Sequence, residues 1–223
     1  MITLDKILIT IILIVSLAVT PAFAAANTQY ADTLYELGLF KGTENGYELE
    51  NTLTREQAAT VLVRILGEES KLDTYVYTQT FDDVSLDRWS YSYVMYCYEN
   101  DITKGTGEDT FSPEAAIDAR QFATLVLRLM GYTDAEPDTA LDIAVQKGLF
   151  NSAVAKELDT NEKFLRDDMV YIVYRSLMTK TNDGDILAYV LADKGVITEK
   201  EAAEFDIYES SEDINELLDR LFQ

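Results

Sequence analysis

One short motif recurs three times along the chain in the same register, and this repeat constrains the fold more than any other feature. Leu53-Thr54-Arg55-Glu56-Gln57 runs into Ala58 to Gly67, and Ile117-Asp118-Ala119-Arg120-Gln121 runs into Phe122 to Gly131. Phe164-Leu165-Arg166-Asp167-Asp168 runs into Met169 to Met178. Equivalent apolar residues follow each motif: Ala58, Val61, Leu62, Leu66; then Phe122, Leu125, Val126, Met130; then Met169, Ile172, Val173, Leu177. Steps of three and four place each set on one face of a helix. Arg64, Arg128 and Arg175 share one position of the repeat. A degenerate repeat of this size implies an array in which no unit buries its core alone.

A second half lies upstream of each motif. Leu34 to Gly42, Cys97 to Gly105 and Ala144 to Phe150 resemble one another, so a unit reads as helix, glycine-containing turn, short loop, helix. The loop carries an apolar residue six positions before the motif: Tyr47, Phe111 or Leu158. Thr54 with Gln57 predicts a capping box, and Asp118 with Gln121 keeps the cap in the second unit. Leu165 forfeits that side-chain cap in the third, where Asp167 and Asp168 suit the positive end of the helix dipole.

The residues Phe81-Asp82-Asp83-Val84, Trp89, Lys104-Gly105, Phe111-Ser112-Pro113 and Thr54-Arg55-Glu56 resemble the S-layer homology family. The resemblance covers about residues 28 to 180. It implies an all-α fold in which three helix-loop-helix repeats form a pseudo-threefold bundle, with grooves between neighbouring repeats. It also implies a non-catalytic protein that binds a peptidoglycan-linked secondary cell-wall polymer, often pyruvylated. On this resemblance the anion falls to Arg55 and Arg166, the sugar face to Trp89, and close backbone approach to Gly42 and Gly105. Ala119 stands where the ligand arginine belongs in repeat two, and the first and third repeats lack the opening tryptophan. One or two working grooves are therefore expected.

The expected organisation is a signal peptide over 1–24, repeats over 25–67, 81–131 and 138–180, and a helical extension over 181–223. Ile7 to Val19 is apolar, follows Lys6 and precedes Ala22-Phe23-Ala24, a small-x-small pattern for cleavage. An uncleaved anchor is the other reading of that stretch. In the extension, 184–194 reads as a helix closed by Gly195, and Thr198 with Glu201 reads as a capping box. Ile214, Leu217, Leu218, Leu221 and Phe222 form a stripe that packs on the repeats or meets a protein partner.

Composition sets the excluded classes. With 18 basic and 40 acidic residues the net charge is −22, and removal of Lys6 and Asp5 with the signal leaves it unchanged. Such a balance argues against nucleic acid and against anionic membrane. Histidine is absent, which removes the commonest general base and metal ligand. The single cysteine, Cys97, forms no intrachain disulfide and sits among Val94, Met95 and Tyr98 as a small core residue. No carboxylate pair stands out for hydrolysis. Thr181-Asn182-Asp183-Gly184-Asp185 reads as a turn, since it lacks the ligand series of a calcium loop. No cofactor or metal is expected. The implied location is a Gram-positive-type cell wall, and the competing reading is a protein-interaction module with decayed glycan sites.

Overall fold

The computed structural model describes residues 27–78 and 81–206. The expected signal peptide and the stripe from Ile214 to Phe222 lie outside these residues. The described chain is all-α, with isolated bridges and no sheet among the described residues. Its helices are α1 (Thr28–Glu36), α2 (Arg55–Ile65), α3 (Tyr91–Glu99), α4 (Ala119–Leu129), α5 (Pro137–Gln146), α6 (Ser152–Thr160), α7 (Arg166–Leu177) and α8 (Leu187–Asp193). Residues 199–206 are also helical.

The motif helices begin as their sequences dictate. Thr54 Oγ1 accepts from the Gln57 amide at 3.3 Å, and Gln57 Oε1 accepts from the Thr54 amide at 3.1 Å, closing the box at α2. Asp118 accepts from the Gln121 amide at 2.8 Å at α4. At α7 half the box survives, because Asp168 Oδ2 accepts from the Leu165 amide at 2.7 Å.

Packing runs across units rather than within them. The helix α3 packs on α2, α5 packs on α4, and α1 packs on α7, while α4 touches both α2 and α7. Each leading helix therefore lies on the preceding motif helix, and the first one returns to the last. Loops seal two of the helix starts. The amides of Arg55 and Glu56 donate to Ala115 O and Pro113 O, and those of Arg166 and Asp167 donate to Asn51 O and Leu49 O, all at 2.8–3.1 Å. These bonds satisfy amides that a helix leaves orphaned at its first turn. Phe81, Phe111, Phe122, Leu53, Leu62 and Leu127 fill the core, and Cys97 is buried with them.

Three details differ from the sequence reading. The third unit does not join its two helices by a short loop; α6 occupies that stretch, capped by Asn151, and packs on α5. Tyr47 is only half-buried, with its hydroxyl on Asp32 at 2.8 Å, while Phe111 and Leu158 are buried. The stretch between the first two repeats, which reads from the sequence as a polar connector from Gly67 to Thr80, contains a 3-10 turn, Glu69–Thr74, anchored by buried Leu72. The described part of the extension packs back, as α8 lies on α7 and Phe205 meets Tyr174. The Thr198–Glu201 box forms, and Thr181 to Asp185 is a hydrogen-bonded turn.

Candidate functional site: two equivalent grooves

The five residues singled out from the sequence fall into two grooves. The first, about 200 Å³, is lined by Arg166, Gly42 and Trp89, with Gln57, Thr60 and Arg64 along its α2 wall. The second, about 260 Å³, is lined by Arg55 and Gly105, with Gln121, Thr124 and Arg128 along its α4 wall. The walls correspond residue for residue through the repeat. Pro137 in the second groove faces the space that Trp89 faces in the first.

The two arginines differ in how they are held. Arg55 is buried; its Nε donates to Phe111 O at 2.7 Å and Nη1 donates to Gln121 Oε1 at 3.2 Å. Its guanidinium carbon sits 4.8 Å from the centre of the Phe111 ring. Arg166 is 9% exposed and lies 5.6 Å from the Phe40 ring centre, and its buried Nε has no hydrogen-bond partner. Among the described residues neither arginine forms a salt bridge. Burial pushes both pKa values down, opposed by Asp118 and Asp83 at Arg55 and by Glu48 at Arg166. Guanidinium stays charged nonetheless. Each groove thus presents a partly desolvated cation with no carboxylate in direct contact with it among the described residues, an arrangement suited to an anion.

Trp89 stands 58% exposed at the mouth of the first groove, tilted against Tyr93 with ring centres 6.3 Å apart. Gly42 and Gly105 line the grooves, yet their own loops already require glycine. At Gly105, with φ +81°, an added Cβ would fall 2.5 Å from Thr110 O and 2.6 Å from Phe81 Cε1.

The sequence reading missed the second arginine of each groove. Arg64 pairs with Glu69, which also takes Lys41 and the Tyr93 hydroxyl. Arg128 donates to Ala135 O at 2.9 Å and pairs with Glu136, which also takes Lys104. Burial opposes ionisation of Glu69, but those three donors hold its pKa at about 2. The repeat register already marked Arg64 and Arg128 as equivalent; their carboxylate partners, on non-repeating loops, left no signal.

The third junction is different. Ala119 supplies no cation, and Arg120 is turned to Asp159 and the Asp138 carbonyl. Ala119 and Arg120 line a cleft of about 340 Å³, and beside α7 a separate cleft of about 230 Å³ is lined by Glu157, Asp167, Asp168 and Tyr171. Burial raises the Asp168 pKa, helped by Asp167 and Glu157 and opposed by the Leu165 amide. Asp168 stands in this cleft at the repeat position of Gln57 and Gln121, while Ala119, at the position of Arg166 and Arg55, lines the neighbouring cleft with Arg120 and Lys163.

The S-layer homology domain family matches residues 22–59 and 80–123. The chain carries S-layer homology sequence. Similar proteins include the middle cell wall protein of Brevibacillus brevis, 30% identical over 63% of this chain and 13% of that protein. The surface layer protein of Brevibacillus choshinensis is 29% identical over 50% of this chain and 10% of its own length. The cellulosome-anchoring protein of Acetivibrio thermocellus is 24% identical over 79% of this chain and 42% of its own. The chain thus spans less than half the length of each. With this S-layer homology sequence and these relatives, it is a cell-surface, wall-associated protein. No helix among the described residues is long and apolar enough to cross a membrane.

Proposed function

We propose that this protein is a non-catalytic wall-attachment protein that binds an acidic, peptidoglycan-linked secondary polymer in the two arginine grooves. The observation that carries this reading is Arg166. It is a buried cation, unpaired and with an orphaned donor, beside a groove that Trp89 overhangs. A carboxylate on a sugar, such as a pyruvate ketal, matches the guanidinium fork. The sugar's C–H face matches the indole. The chain's charge of −22 repels anions generally, so capture depends on these local cations. Such anchoring accords with the names of the relatives, one a cell wall protein and one a cellulosome-anchoring protein.

The first groove is the principal site, because the second has no aromatic and its arginine is already hydrogen-bonded. The third cleft, lined by acids, takes no anion. That cleft favours a second reading, in which part of the surface serves protein contacts rather than glycan. Co-sedimentation with purified wall sacculi tests the main reading. Wild-type protein sediments, and removal of the secondary polymer from the sacculi abolishes sedimentation. Arg166→Ala reduces it strongly and Arg55→Ala partially. Equal sedimentation of the double variant and the wild type would refute the arginine grooves as the site.

A further inference from the structure

Trp89 is more than half exposed, and its one ring contact among the described residues is Tyr93. An exposed side chain with so little packing around it is ordinarily free to change rotamer. The residues on either side of it are, by contrast, fixed to a single carboxylate. Glu56, on α2, is 6% exposed. Arg88 reaches it with two bonds, Nε to Oε2 at 2.8 Å and Nη2 to Oε1 at 3.0 Å. The Ser90 hydroxyl also donates to Oε2. Ser90 is fully buried and occupies the N-cap of α3, yet its side chain caps nothing there. A serine at that position normally accepts from the helix amides. Here it gives up that bond to reach Glu56.

We propose that Glu56 is a positioning residue for Trp89: its carboxylate clamps Arg88 and Ser90, and so aims the indole between them at the Arg166 groove. The inference rests on the reading of that groove as the polymer site, and it extends that reading by naming what sets the aromatic wall. The carboxylate is needed for its acceptor count. Arg88 and Ser90 bring three hydrogen bonds to its two oxygens and the Trp89 side chain adds to them, whereas a carboxamide offers one acceptor oxygen and would turn its NH2 toward a donor. The charge also belongs to the site. Burial opposes ionisation of Glu56, but Arg88, Ser90 and Trp89 hold its pKa below the ordinary glutamate value. The second carboxylate on Arg88, Glu114, is 80% exposed and 3.0 Å away, and it touches neither Ser90 nor the core. Glu114 is the natural control.

Trp89 is the chain's one tryptophan, so 5-fluorotryptophan labelling reports on this side chain alone. The expected 19F spectrum of unliganded wild type is one narrow line, and Glu114→Gln leaves it unchanged. Glu56→Gln splits or broadens that line while a cooperative thermal transition persists. It also weakens binding to polymer-bearing sacculi by roughly two- to tenfold, the cost of immobilising a freed side chain on binding. Arg88→Lys, which keeps the charge but loses the paired bonds, has the same effect and decides the matter if Glu56→Gln does not fold. A single line at the wild-type position in both variants overturns the proposal. Trp89→Ala separates the two ideas. If that variant sediments like wild type, the groove reading fails while the 19F result on Glu56 stands by itself.

Discussion

Replacing Arg166 by methionine should leave the free protein as stable as before or slightly more so, while removing its hold on the wall. The side chain makes no hydrogen bond and no ion pair among the described residues, and its buried Nε is orphaned. An unsatisfied buried donor costs about 1–3 kcal/mol. The contact with Phe40 returns about 0.5–1 kcal/mol. Methionine keeps the unbranched stem out to the level of Nε and places no donor there. The balance is a gain of about 1 kcal/mol, or roughly 2–4 °C in melting temperature for a chain of this size. Arg55→Met should behave oppositely. It deletes bonds to Phe111 O and Gln121 and leaves a buried carbonyl unpaired. A loss of about 2–4 kcal/mol follows. Urea denaturation of the two variants, with sacculus sedimentation in parallel, measures both effects. If Arg166→Met is destabilised as much as Arg55→Met, then Arg166 is an ordinary structural cation and the argument from its unpaired state fails.

Two further outcomes concern stability. Gly105→Ala should cost roughly 2–4 kcal/mol by thermal melting, since φ is +81° and the new Cβ meets both Thr110 O and Phe81. Gly38→Ala, at φ +73° with nothing within 4 Å, should cost only about 1 kcal/mol. Glu69, whose pKa is held at about 2, stabilises the fold above the ordinary glutamate pKa, and that contribution disappears as pH falls toward 2. Urea titrations of wild type and Glu69→Gln at pH 6 and pH 2 should therefore differ by about 2 kcal/mol at the higher pH and converge at the lower.

What the sequence made legible was local. Helical periodicity gave the motif helices, and the caps at Thr54, Asp118 and Thr198 formed as their spacing required. The burial of Cys97 and the turn at Thr181 to Asp185 followed from local composition. The five candidate residues did come together in two grooves, but which residue joins which could not be read. Arg166 serves a groove whose floor is α2, over 100 residues earlier, because leading helices pack on a neighbouring unit's motif helix. The partners Glu69 and Glu136 sit on loops that do not repeat, so periodicity carried no trace of them. In Arg88 and Ser90 the sequence showed two ordinary polar residues beside a tryptophan; only the fold brings Glu56 between them. The helix α6 was missed because Leu158, its one buried residue, matches Tyr47 and Phe111 in the repeat register, and those two lie on loops.

The return of α1 to α7, pinned where Asn27 meets Asp167 across 140 positions of sequence, has a consequence for how the chain matures. Closure of so long a span is slow and waits until the chain through α7 is present. A product ending after α4 would keep both stretches that match the family, yet the main cleft would be missing its guanidinium. On the proposed reading, wall binding therefore requires the chain to be folded through α7.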